Sequence, residues 1–303
     1  MEWFKNFFGE VPEGGLNLII TLSNGWNNYG PKVEYPDNKA DLYSIIYCEM
    51  DSLNNPFFED DWAIDLIIHE YSHSFCNHLI TENYPKMRKK ANEFYAINQE
   101  ILRNNAYGNS YIMLCEILVR ASVIKYFMTH FPENKLIKYF KQERYNGFMW
   151  IEELYDALNV YEQNREKYPT LRSFMPEIVK VQNELNPKKM EKERKEEQQK
   201  NGATMSIANI VNGDQNVDAS ITQIIVKFDR PMLWICGSTF GKKGEKYSPK
   251  QLGAKWNEEK TEWILEVKLE SNKEYSIAFP AHWFMDEDYV FAKNTVYLDF
   301  KTK

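Results

Sequence analysis

Ile67-Ile68-His69-Glu70-Tyr71-Ser72-His73-Ser74-Phe75 sets an H-E-x-x-H pattern inside an apolar, helix-compatible run. A helix turns about 100° per residue, so His69 and His73 share one face, one turn apart, where both imidazoles reach a single ion. Glu70 lies about 100° round the axis, placed to exchange a proton with a bound water without taking a coordination position. The flanking Trp62, Leu66, Ile67, Ile68 and Phe75 predict a largely buried helix. Two histidines and a glutamate inside it are costly without a partner, and zinc is the partner this spacing favours. The competing reading is a pair of hydrogen-bonded core histidines.

A zinc site that turns over a substrate needs three protein ligands and an open position for water. The metzincin pattern would place a third histidine six residues after His73, following a glycine. Here His78 comes five residues on with no glycine between, and it falls about 140° off the ligand face, which predicts an exposed helix residue. Glu116 is the stronger candidate. Ile112, Cys115, Val119, Val123 and Tyr126 form an apolar stripe at helical spacing, and Glu116 sits at its edge. A carboxylate facing a core needs a compensating charge, which a zinc ion or Arg120, one turn on, can supply. If both do, Arg120 orients Glu116 as a ligand. The alternative is an ordinary Glu116–Arg120 surface pair.

Outward from this helix the chain reads as an α+β protein. Leu16 to Leu22 and Leu42 to Cys48 are strands, separated by a loop dense in turn formers from Ser23 to Pro31. The motif helix, capped by Asp60 or Asp61, is expected to end near Thr81, before Tyr84-Pro85. Helices are predicted over Met87 to Asn104 and Ser110 to Thr129, the latter capped by Ser110 or Asn109. Shorter ones follow around Asn134 to Phe140, Trp150 to Val160 and Leu171 to Leu185. The run Lys188 to Lys200 is charged and nearly free of apolar residues, either a solvated helix end or a tether. Beyond it Thr222 to Phe228, Glu262 to Leu269, Tyr275 to Phe279 and Thr295 to Phe300 alternate as short strands. The expected division is a helix-rich domain with a small N-terminal sheet over residues 1–200 and an all-β sandwich over 203–303.

Composition limits the classes of function. Of 303 residues 43% are apolar and 15% aromatic, ample for a core. The net charge of -7 is spread through interspersed acids and bases without a basic, aromatic-laced patch, so nucleic acid is not expected as a partner. No apolar run reaches the length of a membrane span. The start Met1-Glu2-Trp3-Phe4-Lys5 lacks the charged region and apolar segment of an export signal, which leaves the compartment open. Cys48, Cys76, Cys115 and Cys236 have no C-x-x-C spacing and are expected to be buried free thiols, although Cys76 and Cys115 stand close in sequence to His73 and Glu116.

H-E-x-x-H on one helix with a glutamate on a later one resembles the gluzincin clan of zinc metallopeptidases. Three blocks narrow the resemblance: Leu22-Ser23-Asn24-Gly25 with Asn28-Tyr29-Gly30, His69 to Phe75, and Glu116-Ile117-Leu118-Val119-Arg120-Ala121. Together they resemble a bacterial family of uncharacterised gluzincins, often exported, over about the first two hundred residues. The resemblance implies a zincin-like domain with His69, His73 and Glu116 holding Zn2+, Glu70 as catalytic base and a peptide or protein substrate. It also implies a secreted, periplasmic or cell-surface location. Val217-Asp218, Ile224 to Met232, Asn272-Lys273-Glu274-Tyr275 and Leu298 to Thr302 resemble bacterial immunoglobulin-like modules. In that module Trp234, Trp256, Trp263 and Trp283 are expected in the core and at its rim rather than as a glycan platform.

The function expected is hydrolysis by a zinc-activated water, with Glu70 passing the proton to the leaving amine. Tyr29, Tyr107, Tyr111 and Arg144 are the candidates to stabilise the oxyanion. An amide or ester hydrolase of the same chemistry differs only in the shape of its cleft. A catalytically inactive, zinc-containing surface binding or adhesion protein is the alternative, and it leaves Glu70 without a role.

Overall fold

The computed structural model describes the chain except residues 1, 11–12, 26, 38, 58–59, 132–135 and 234–235 and the side chains of 60–62. The cap expected from Asp60 or Asp61, the burial of Trp62, and the places of Trp26, Asn134 and Trp234 lie outside the described residues. The chain divides into two compact units, Met1–Lys188 and Lys189–Lys303.

The first unit opens with a short helix α1 (Glu2–Phe8) and the strands β1 (Leu16–Thr21), β2 (Lys32–Glu34) and β3 (Ala40–Tyr47). Two brief strands, β4 (Glu49–Met50) and β5 (Pro56–Phe57), pair antiparallel before the helices begin. The three longer strands form a sheet in the order β1-β3-β2. β1 runs parallel to β3 with Leu16 opposite Leu42, and β2 runs antiparallel to it. Alternate residues of β3 (Ala40, Leu42, Ser44 and Ile46) are buried, as a half-covered strand requires.

Five helices follow: α2 (Asp60–Asn104), α3 (Ser110–His130), α4 (Leu136–Tyr145), α5 (Ile151–Gln163) and α6 (Leu171–Glu184). The break expected near Thr81 does not occur. α2 runs 45 residues straight through Pro85. An internal proline costs a helix about 3 kcal/mol or more, but here Leu79, Ile80, Met87, Ala91 and Phe94 keep one apolar face buried on both sides of it. Tertiary burial therefore outweighs the lost backbone hydrogen bond. Asn109 caps α3, its side chain accepting from Ile112 N at 2.9 Å. Instead of showing one apolar stripe, α3 is buried nearly all round, from Met113 to Val119 and again from Ala121 to Lys125. It is the central helix of the unit.

α1 shows why the motif helix presents the face it does. Tyr71 and Phe75 lie about 200° and 240° round from His69, and both are buried. Phe4 and Phe8 stack on Phe75 with ring centroids 5.2 and 4.7 Å apart, and Tyr161 of α5 donates its hydroxyl to Phe7 O at 2.6 Å. This aromatic pack covers the back of α2 and turns His69 and His73 towards α3.

The second unit begins in α7 (Pro187–Asn201), the charged run read as a helix end or tether. The expected boundary at 200–203 thus lies at 188/189 in the structure. The reason is anchorage: Gln198 and Gln199 donate to Ala292 O and Lys293 O at 2.6 and 2.7 Å. Strands β6 (Met205–Ile207), β7 (Gln223–Phe228), β8 (Thr239–Phe240), β9 (Lys250–Trp256), β10 (Glu262–Lys268), β11 (Glu274–Phe279) and β12 (Val296–Lys301) follow. They form two antiparallel sheets, β6-β7-β10-β9 and β12-β11-β8. Inward residues of both, among them Val226, Leu265, Ile277 and Leu298, join one core. Trp263 is buried in that core, and Trp256 and Trp283 pack half-buried against it, as expected of the indoles. The whole is a mixed α+β chain with small sheets. Among the described residues no helix is long and apolar enough to cross a membrane.

Candidate metal centre

α2 and α3 bring three donors together. His69 Nε2 and His73 Nε2 lie 3.2 Å apart, Glu116 Oε2 is 3.4 Å from the first and Glu116 Oε1 3.4 Å from the second. Among the described residues these three form the only cluster of histidine, cysteine and carboxylate groups that could hold a metal ion. Two bonds of about 2.0–2.1 Å at a tetrahedral angle put their donor atoms about 3.3–3.4 Å apart, close to the separation of the imidazoles and of each from its own Glu116 oxygen, and one donor atom from each of the three residues lies within 4.8 Å of the others. Glu116 Oε2 is fully buried and finds no hydrogen bond of normal geometry, its nearest donors being His69 Nε2 at 3.4 Å and Arg120 Nε at 3.8 Å. A buried carboxylate oxygen without a hydrogen bond is costly, and a cation removes the cost.

The surroundings set each ligand's state. His73 Nδ1 lies 3.2 Å from Asn77 Oδ1, one turn on. Donation from Nδ1–H leaves the Nε2 lone pair facing the other donors. Burial keeps His73 below its ordinary pKa, outweighing the pull of Glu116, which favours the neutral ring a metal requires. Burial alone would raise Glu116, but His69, His73 and Arg120 beside it prevail and hold it at about 2. Glu70 is 6% exposed. Burial pushes its carboxyl up to about 7, against the pull of His69 and with the push of Glu116. The Asn28-Tyr29-Gly30 segment presses on the motif helix at this point. Tyr29 exchanges two 2.9 Å backbone hydrogen bonds with Ile45 of β3, and a Cβ on Gly30 would lie 1.9 Å from Glu70 O.

Arg120 does more than pair with Glu116. Its Nη1 donates to both carboxylate oxygens of Glu143, at 2.8 and 2.9 Å, and its Nη2 donates to the Tyr107 hydroxyl at 2.8 Å. Its guanidinium also lies 4.6 Å from the Phe148 ring centroid. The simple surface pair is thereby replaced by a part-buried Glu116–Arg120–Glu143 chain.

Of the four oxyanion candidates, Tyr107 is tied to the ligand residues, through Arg120. Tyr111 bonds Thr81 Oγ1 at 2.8 Å, Arg144 faces Glu152 at 4.0 Å, and the Tyr29 side chain is half exposed. The cysteines stay apart. Cys76 Sγ lies 3.8 Å from Ser122 Oγ, and burial raises its pKa. Burial pushes Cys115 up to about 11. His78, expected to be exposed, is instead half-buried, because α2 is covered on this side too, but it stays outside the donor cluster. Asn77 and Glu143 belong to the site beyond the residues expected from the sequence. Asn77 carried a findable signal, a polar group one turn from His73 in a buried helix. Glu143 stands on a different helix with no pattern linking it to Arg120.

Comparison with known proteins assigns the chain to a family. It belongs to the family described as a domain of unknown function, DUF4932, whose profile matches residues 5–181. No curated protein matches it. A solved structure described as the crystal structure of the S-layer protein rSbsC(31-844) is similar at 11% identity over 80% of this chain, with a TM-score of 0.24. The chain spans 33% of the length of that protein, and a likeness at this score carries no argument.

Proposed function

We propose that the chain is a zinc-dependent hydrolase of the gluzincin type, cleaving peptide bonds. The observation that carries this reading is the set of three donor separations of 3.2, 3.4 and 3.4 Å between His69, His73 and Glu116, with the Glu70 carboxyl beside them. Zinc held by these residues supplies a Lewis acid that polarises a carbonyl and makes water acidic enough to deprotonate near neutral pH. Glu70 takes the proton of the attacking water and gives it to the leaving amine. Asn77 holds His73 in register, and Arg120, fixed by Glu143 and Tyr107, holds Glu116. A site that only held structure together would close with a fourth protein ligand and would have no use for Glu70.

The second unit we read as an immunoglobulin-like sandwich, supported by its two antiparallel sheets over a shared core. The first we read as zincin-like, and the pair as an exported or surface-borne enzyme.

The experiment is metal analysis of the purified chain with a peptide-library cleavage assay on three variants. His69→Ala and Glu116→Ala are expected to lose zinc. Glu70→Gln is expected to retain it and to lose about 10²–10⁴-fold in turnover. Zinc retained with turnover unchanged in Glu70→Gln rejects Glu70 as the base, and zinc bound by the wild type with no peptide of the library cleaved favours the inactive binding protein.

A further inference from the structure

A cavity of about 180 Å³ opens beside His69. Its apolar wall comes from successive turns of α3, Val123, Ile124 and Phe127, and is continued by Tyr139 of α4. The Phe127 and Tyr139 rings stand 6.3 Å apart at 32° and extend that wall. The rest of the lining is polar, with Asp65, Arg120, Gln142 and Glu143 beside His69. Sites for drug-sized ligands enclose roughly 300–1,000 Å³, so this space suits a single side chain.

The charges here do not cancel. Glu143 is spent on Arg120, which it binds through both carboxylate oxygens. Asp65, one turn before His69, has no hydrogen bond or ion pair within 4 Å among the described residues; burial raises its pKa, and His69 and Arg120 attract its carboxylate only from further off. Among the charged groups that line the cavity, Arg120 stands against Glu143 and Asp65, which leaves it net negative. A guest that answers both parts of this lining has an aliphatic stem and a cationic end, the latter paired with Asp65 and lying against aromatic faces.

We infer that this cavity is the specificity pocket of the enzyme and takes a lysine or arginine side chain of the peptide, recognised by Asp65. The inference rests on the hydrolase reading above, and its test separates the two. Zinc content of the full-length protein is measured first. Arginine hydroxamate and norleucine hydroxamate are then titrated by calorimetry into the zinc-loaded protein and its Asp65→Asn variant. The hydroxamate group binds zinc in both probes, so the comparison isolates the side chain and needs no turnover. The arginine probe is expected to bind at least about tenfold more tightly, and the variant to lose that margin with its zinc content unchanged. In the library assay the same preference appears as cleavage next to lysine or arginine, again lost in Asp65→Asn. Equal affinities of the two probes in the zinc-loaded protein, or a margin that survives in the variant, overturn the pocket and leave the hydrolase standing. A protein that holds no zinc overturns both.

Discussion

Glu70 sits where an acid is least comfortable in its charged form, and the cost can be measured without any substrate. Burial raises its pKa from 4.5 to about 7 in the metal-free protein. A carboxyl with a raised folded pKa stabilises the fold fully below its unfolded value, and that contribution is lost as pH rises from about 4.5 through about 7. The shift corresponds to about 3 kcal/mol. Metal-free protein in EDTA, unfolded with urea, is therefore expected to lose about 3 kcal/mol between pH 4.5 and 8 relative to Glu70→Gln, which carries no titrating group there. A constant difference between the two proteins across that range would reject the assignment. Asn77 gives a second residue-level prediction. Asn77→Ala removes the acceptor that orients His73 and is expected to weaken zinc binding about 10–100-fold, read by competition with a chromophoric chelator. Both Glu70 and the histidine pair were legible in the sequence because one turn of helix relates them. Glu143 was not, since its hold on Arg120 exists only once α4 lies beside α3.

The elements around the site are set by contacts of very different visibility. β1, β3 and α3 follow from alternation, periodicity and an asparagine cap, and the structure has them within a few residues of the sequence reading. At Pro85 of α2 a local breaking rule competes with burial on both sides of it, and only the packed structure shows which prevails. α1 is hard to see in the sequence, although Phe4, Phe7 and Phe8 recur at helical spacing, because their partner Phe75 lies far along the chain. β9, exposed along almost its whole length, offers no alternation to read. The Asn28-Tyr29-Gly30 segment yields the prediction at this scale. Its glycine touches the motif helix so closely that a methyl group would lie 1.9 Å from Glu70 O and 2.7 Å from Glu70 C, both backbone atoms. Gly30→Ala must push this segment off α2, at a cost of about 1–3 kcal/mol for an overpacked contact. Because the ligands stand on α2 and α3, zinc binding is expected to survive while turnover falls with the displaced base. Loss of zinc in parallel with turnover would mean that the segment supports the ligands themselves.

At the scale of the whole molecule each unit encloses its own apolar core, and the three donors belong to the first alone. A ligand that binds only the folded state stabilises it by RT ln(1 + [L]/Kd), about 2.7 kcal/mol at a free concentration one hundred times Kd. For a unit of this size each kcal/mol moves the midpoint by about 2–4 °C. Calorimetry of the zinc-loaded chain is thus expected to show two transitions, of which EDTA lowers one by roughly 5–11 °C and leaves the other in place. The sensitive transition is expected to be that of Met1–Lys188, and His69→Ala identifies it by making its midpoint indifferent to EDTA. The second transition reports the core of Val226, Leu265, Ile277 and Leu298, so Ile277→Ala, fully buried in the wild type, should lower it through a loss of about 2–5 kcal/mol. That variant should leave the EDTA-sensitive midpoint and the zinc content unchanged. If EDTA moved both midpoints together, or if Ile277→Ala cost the chain its zinc, the metal would be coupled to both cores. Confining it to the helices α2 and α3 would then be an error.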